Sequence, residues 1–218
     1  MNYNLFTQFY VDPNPNRQLE LEYCLRRNIS NSFGRVVLFI EKKEEVVYLI
    51  ENGFLTTRTF IKFIDKRATF NDMFTVMDSE EYADDYNIMA NTDIFFTEGL
   101  TDLKSYTETL QKNICVALSR YDYQTNGHIT PFHRADSQDT WGFFGNPFVR
   151  TSIEFGMGMA GCDNRLAHEI IQHGYHIQNP CYQIATYHLH ESNVRNYLND
   201  NNEPKERIPP PYHLITPQ

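Results

Sequence analysis

A carboxylate and two imidazoles in the last third of the chain are the first residues with chemistry to offer. Gly161-Cys162-Asp163-Asn164 is followed, after one helix-length segment, by Tyr187-His188-Leu189-His190. Asp163 comes directly after Phe155-Gly156-Met157-Gly158-Met159-Ala160-Gly161 and opens a segment read as a helix. An Asp at a helix start can simply cap it. It can also serve as a general base that takes a proton from an attacking hydroxyl. The glycines favour the second use, because they let a substrate approach the backbone and a cap has no need of that. His188 and His190 are two apart in a segment read as a strand, so they share a face. One can ligate a metal while the other fixes a phosphate or a carboxylate. The plainer alternative is two surface or internally bonded histidines.

Asn91-Thr92-Asp93 offers a third anchor. It ends an apolar strand, where open α/β sheets place their ligands. A carboxylate there suits a hard divalent cation that bridges to phosphate, and the alternative is an ordinary turn. Arg67, just before Thr69-Phe70-Asn71-Asp72, is a candidate phosphate or base contact at a helix start, or else a solvated arginine. Ser137-Gln138-Asp139-Thr140-Trp141 sets the only tryptophan beside hydrogen-bonding side chains. That arrangement reads as a sugar-stacking platform, or as a Trp anchoring a loop to the core.

These residues need elements to hold them. Residues 3–11 read as a first strand, stopped by Asp12-Pro13-Asn14-Pro15. Leu19, Tyr23, Leu25 and Ile29 then fall at helical spacing and predict a helix over 16–28. Residues 35–41 form an apolar run that suits a strand buried on both faces. Further strands are expected over 60–65, 114–118 and 182–190, and one broken by polar residues over 86–96. Helices are expected over 69–76, capped near Thr69, and over 162–172. This alternation predicts an α/β fold with a mostly parallel sheet. Residues 1–203 read as one domain, and the proline-rich 204–218 as a tail or a linker to a further domain.

Composition narrows the classes. With 218 residues, 41% hydrophobic and 22% charged, the chain can bury a full core. A net charge of −9 without a basic stripe argues against a nucleic-acid partner. No run approaches the ~18 apolar residues of a membrane span. The first residues lack a signal-peptide pattern, and the four cysteines form no CxxC spacing. A reducing, cytoplasmic compartment is the expectation.

In chain order, the motifs are Thr7-Gln8-Phe9-Tyr10, Asn14-Pro15-Asn16-Arg17-Gln18, Arg67 to Asp72, Ala90-Asn91-Thr92-Asp93-Ile94-Phe95-Phe96 and Ala117-Leu118-Ser119-Arg120. Ser137 to Trp141, Gly161 to Asn164, Tyr187 to His190 and Arg195-Asn196-Tyr197 complete the series. The series resembles a small family of GT-A-fold glycosyltransferases of large algal viruses and bacterial polysaccharide clusters. It is particularly similar to the first domain of a multi-domain chlorella-virus glycosyltransferase.

The resemblance implies the GT-A fold, with a mixed, mostly parallel central sheet flanked by helices. It also implies hexosyl or deoxyhexosyl transfer from a nucleotide-sugar donor, expected to be UDP-linked, to a glycan acceptor. The cytoplasm would then be that of a host cell if the protein is viral. Thr7, Gln8, Phe9, Tyr10, Arg67, Asn91 and Thr92 would contact the donor. Asp93 stands where the family's Asp-x-Asp motif lies and would ligate Mn²⁺ or Mg²⁺, with the pair His188 and His190 supplying the other protein ligand. Asn91 is neutral where many such enzymes carry an acid. Gln138 and Trp141 would meet the acceptor, and Asp163 would deprotonate it in an inverting displacement. Asp139 is the second choice of base, and a retaining course follows if Asp163 only positions the acceptor.

Two rivals stand beside this reading. A metallophosphoesterase also uses His-x-His with Asn and Asp, but needs further ligands after the first strand, where Thr7-Gln8-Phe9 offers none. A non-catalytic nucleotide- or carbohydrate-binding module would bind the donor without metal-dependent turnover.

Overall fold

The structure, a computed structural model, describes residues 1–194 and 204–218; the Arg195-Asn196-Tyr197 motif lies outside the described residues. The chain runs β1 (Tyr3–Phe9), α1 (Pro15–Ser30), β2 (Arg35–Ile40), α2 (Lys43–Glu51), β3 (Thr59–Phe63), α3 (Phe70–Met77), β4 (Tyr86–Ala90) and β5 (Ile94–Phe96). It continues with α4 (Gly99–Thr107), β6 (Ile114–Leu118), β7 (Arg120–Tyr123), β8 (Ile129–Phe132), β9 (Thr140–Phe144), α5 (Cys162–Gln172), β10 (His176–Gln178) and β11 (Thr186–Leu189).

Seven strands form the central sheet in the order β10-β6-β9-β4-β1-β2-β3. Only β9 runs against its neighbours, β4 and β6, so the sheet is mixed. The alternation of each strand builds a core on both faces. Leu5, Phe9, Val36, Leu38 and Ile40 pack with Leu25 of α1, Leu49 of α2 and Leu103 of α4. Phe6, Val37, Phe39 and Trp141 pack on the other face with Phe74 of α3 and Leu166 and Ile170 of α5. This double burial is why β1 and β2 read as continuous apolar runs.

The expected broken strand over 86–96 is two strands in two sheets. β4 ends at Ala90, Ile94 N–H closes a turn onto Asn91 C=O at 3.1 Å, and β5 leaves for a four-stranded sheet ordered β5-β11-β7-β8. In that sheet His188 stands opposite Ile94 on one side and Asp122 on the other. The turn therefore aims Asp93 at the residues β7 and β11 deliver.

Helix α1 forms as expected, with Asn14 capping the amides of Asn16 and Arg17 and Pro15 in its first turn. Its buried face differs from the expected one: Leu19 is 64% exposed, while Arg17, Leu21, Cys24, Leu25 and Asn28 turn inward. Thr69 caps α3 in a reciprocal box with Asp72. α2, α4, β8, β9 and β10 lie in stretches for which the sequence signals were too short or too polar to assign. Residues 204–218, read as a tail or linker, are laid on the domain. Ile208 N–H bonds Ala160 C=O and Ile215 N–H bonds Ala135 C=O, both at 2.9 Å, with Ile208 and Ile215 buried. Apolar residues among the prolines explain the packing.

Asn28 fastens α1 to the smaller sheet, its amide donating to Ile94 C=O at 2.8 Å and its Oδ1 accepting from Phe96 N–H at 3.0 Å. Asn28→Ala orphans two buried backbone groups and should cost about 2–4 kcal/mol. Urea unfolding checks this, and a loss below 1 kcal/mol would show that the clasp is dispensable.

Candidate functional site

The strand order fixes where a site can form. From β1 the chain steps outward through β2 to β3, then returns to place β4 on the other side of β1. A crevice opens at such a switch point, beyond the C-terminal ends of the strands. A cavity of about 750 Å³ lies there, lined by Gln8 and Tyr10 after β1 and by Asn91, Thr92 and Asp93 after β4. Its far wall holds the 157–164 loop and helix start, and Pro204 and Arg207 of the C-terminal segment close one side.

Asp93 is the most heavily partnered group in it. Oδ2 accepts from Arg17 Nη2 at 2.5 Å and lies 3.2 Å from His188 Nε2 and 3.7 Å from His190 Nδ1. Arg17 is itself buried, donating to Glu20 at 2.9 Å and to Leu189 C=O at 3.2 Å. Burial would raise the Asp93 pKa, but His188 and Arg17 overcome it and hold the carboxylate far below its usual range. Burial likewise opposes charge on His188, yet Asp93 and Asp122 raise it to about 9. His190 is lowered, first by burial and then by Arg17.

The outer nitrogens of both rings are tied down. His188 Nδ1 bonds Asp122 at 3.0 Å, and His190 Nε2 donates to Val194 C=O at 2.9 Å. His188 Nε2 and His190 Nδ1 thus face Asp93, with the outer N–H held as in carboxylate- and carbonyl-oriented metal ligands. The three donor atoms lie within 4.8 Å of one another. A carboxylate with two imidazoles is a donor set for a divalent transition-metal ion more than for Mg²⁺, which prefers oxygen throughout. His188 and His190 are both placed to contribute.

A second polar group lies across the cavity. Arg120 Nη1 bonds Asp139 at 2.7 Å and its Nε bonds Asp122 at 3.0 Å, while Asn91 donates to Asp139 at 2.6 Å. Asp139 is thereby committed to two donors. Asp163 is the second residue of α5, whose N-cap is Gly161 at φ 82°, so it does not cap the helix in the expected sense. Among the described residues its side-chain partner is the Cys162 thiol at 3.3 Å, and the Gln138 backbone also favours its charged form. Burial, then the nearby Asp139 charge, raises its pKa well above the usual carboxylate range.

The structure gathers most, but not all, of the residues singled out by sequence. Gln8, Tyr10, Arg67, Asn91, Thr92, Asp93, Asp139, Asp163, His188 and His190 line the one cavity. Thr7 and Phe9 do not line it, because in β1 they alternate with Gln8 and are buried against the helical layer. Gln138 and Trp141 also fail as acceptor contacts. Trp141 is 1% exposed in the core and cannot offer a ring face. Gln138 is buried, with its amide donating to Arg134 and Ala135 carbonyls. Arg17 and Arg120 stand in the motif series without an assigned role, and Asp122 is not singled out by sequence. The Arg-x-Asp alternation of β7 was the signal for two of them, and the inward turn of α1's first residues would have found the third.

No protein-family model matches the chain, and no curated protein sequence does. Solved structures do. S. aureus TarS in complex with UDP-GlcNAc superposes with a TM-score of 0.59 at 10% identity, over 89% of this chain and 60% of that one. Mannosyltransferase PcManGT from Pyrobaculum calidifontis, in complex with GDP-Man and Mn²⁺, superposes with a TM-score of 0.56 at 10% identity, over 90% of this chain and 58% of that one. The fold is GT-A. The chain spans about three fifths of the length of these two structures. The GT-A core positions the cavity as described, and no helix among the described residues is long and apolar enough to cross a membrane.

The raised Asp163 pKa has a stability consequence. The folded state binds this proton more tightly than the unfolded chain, so ionising Asp163 costs stability as pH rises from the unfolded value through the raised one. Asp163→Asn removes the cost. Its melting temperature relative to the parent protein should therefore climb between pH 5 and pH 9, as read by thermal melts. A pH-independent difference would place Asp163 in an ordinary solvated environment.

Proposed function

We propose that this chain is a metal-dependent glycosyltransferase. It would move a sugar from a nucleoside-diphosphate donor, UDP-linked by the motif resemblance, to a glycan hydroxyl. The observation that carries the reading is the Asp93–His188–His190 cluster at the switch point of a GT-A sheet, next to Arg17. Among the described residues no other His, Cys, Asp and Glu group is arranged to hold a cation. That leaves the two-metal phosphoesterase short of ligands. Support for a nucleotide-sugar donor comes from the structural neighbours, which are seen with UDP-GlcNAc and with GDP-Man and Mn²⁺.

In this reading Gln8, Tyr10, Asn91 and Thr92 line the nucleotide side, and Asp93, His188 and His190 hold the cation. When bound, a divalent ion supplies Lewis-acid stabilisation of the charge that gathers on the leaving diphosphate. Arg17 contributes fixed positive charge at the same place, preorganised by Glu20. Asp163 takes the acceptor's proton as the hydroxyl oxygen attacks the anomeric carbon, which gives inversion. Asp139 suits that role less well, being bound to Arg120 and Asn91. A viral setting, in which the motif series has its nearest resemblance, belongs to the same proposal.

The donor test is thermal stabilisation. UDP with Mn²⁺ should raise the melting temperature more than the sum of UDP alone and Mn²⁺ alone, since a cation that bridges protein and diphosphate makes each ligand bind the folded state more tightly in the other's presence. Asp93→Ala should abolish the excess. Equal shifts with and without metal would remove the bridging cation from the account.

For Asp163 the test is transfer itself. Asp163→Asn should bind UDP and Mn²⁺ normally yet lose about 10²- to 10⁴-fold in rate, because an amide cannot accept the proton. In the parent enzyme, activity should fall as pH drops through the raised pKa and Asp163 becomes protonated. Near-normal transfer by the Asn variant would move the base to Asp139.

A further inference from the structure

Most charged groups around the cavity are already spoken for. Arg17 is paired with Asp93 and Glu20, Arg120 with Asp139 and Asp122, and Arg134 with Asp136. Two guanidinium groups in the wall differ. Arg67 and Arg207 are exposed and line the cavity, and among the described residues neither forms an ion pair. Arg67 donates only to Met157 C=O, at 2.6 Å.

Both stand on one loop, residues 156–161, and that loop leads into Asp163. The space beside Gly158 is bounded by Arg67, whose Nη2 lies 3.4 Å from where a Cβ would stand. Arg207 bridges Ala160, and the next residue bonds it, Ile208 N–H to Ala160 C=O at 2.9 Å. Arg165 Nη1 holds the following prolines by donating to Pro209 and Pro210 carbonyls at 3.2 and 2.8 Å. The backbone carrying Arg207 is therefore fixed while its guanidinium stays free. These anchors lie on the loop that leads into Asp163, in the lining of the same cavity.

A chain of net charge −9 repels anions at long range. Two guanidinium groups in the cavity lining that have no carboxylate partner among the described residues offset that background locally, and their planar forks match an oxyanion. Neutral hydroxyls need no such pair. We propose, resting on the transferase reading above, that the acceptor is an anionic sugar whose carboxylate or phosphate is held by Arg207 and Arg67 while its hydroxyl faces Asp163. On this proposal Arg67 serves the acceptor rather than the nucleotide.

The test is calorimetric titration of the protein saturated with UDP and Mn²⁺, using glucuronate, glucose 6-phosphate and glucose. At least one of the two anions should bind about 10- to 100-fold more tightly than glucose, the worth of a charge-assisted hydrogen-bond pair. Which anion it is separates a uronate from a phosphosugar. Arg207→Ala and Arg67→Ala should each lose that advantage, Arg207→Lys should recover part of it, and Arg207→Glu should favour glucose. All should keep parental UDP·Mn²⁺ affinity and a parental melt. Equal binding of all three probes, or an advantage untouched by the variants, overturns the proposal. So does a drop in UDP affinity in Arg207→Ala, which would give the guanidinium to the donor diphosphate. If the parent protein fails to bind UDP with Mn²⁺, the transferase reading itself falls, and the failure is recognisable because it precedes any acceptor.

Discussion

Burying the charge of Asp93 is the constraint around which the rest of the site is arranged. A carboxylate removed from water is tolerated only with partners, and removing one partner of a buried pair costs about 3–5 kcal/mol. Here the partners come from three places: Arg17 from α1, His188 from β11 and, at longer range, His190 just beyond it. Each partner has its own. Glu20 braces Arg17 and also accepts from Ser192 N–H at 2.6 Å, while Asp122 braces His188 and is in turn held by Arg120. Charges of alternating sign run from Glu20 to Asp139 through both sheets, so no member can turn away without exposing another to an unpaired field.

This continuity separates the tasks of the two carboxylates on the far wall. Asp139 ends the chain of pairs and is saturated by Arg120 and Asn91. Asp163 lies beyond the chain of pairs; among the described residues the Cys162 thiol is its side-chain donor, and burial and the Asp139 charge outweigh what that thiol, the Gln138 backbone and Arg120 do to favour its charged form. Burial and the neighbouring Asp139 charge raise the Asp163 pKa, so the two carboxylates differ in their surroundings although they are close in space.

How much of this was legible depends on the range of the interaction. β1, β2, α3 with its Thr69 cap and α5 with its bounds follow from local patterns, because apolar runs and capping residues act within a few positions. The Asn91-Thr92-Asp93 turn was legible as a strand terminus, although not as the point where the chain changes sheets. Trp141 was misplaced for a physical reason: its polar neighbours alternate with it in sequence, and β9 is central, so its ring is enclosed on the core side. Thr7 and Phe9 are kept out of the cavity lining by the same parity that brings Gln8 and Tyr10 into it. Arg17 stayed hidden because a buried arginine is intelligible only once Asp93, 76 residues away, is known to be its partner.

Arg17, His188 and a bound divalent ion are the charges that would let an acidic protein receive the diphosphate proposed above. With His188 protonated, Arg17 and His188 offset Asp93 and one of the two carboxylates, Glu20 and Asp122, that brace them, so the cluster keeps a charge of about −1 before a cation binds. A divalent ion taken up by the same three ligands replaces the His188 proton with a larger charge, since imidazole must give up that proton to ligate. A bound ion therefore makes the site more positive by one charge, and Arg17, held by Glu20 and by Leu189 C=O, need not move far to accommodate the change. Such a site does not depend on the net charge of the chain. Its field is set over a few ångströms by groups whose positions the fold has already fixed, and at that range the −9 of the whole molecule is a weak background.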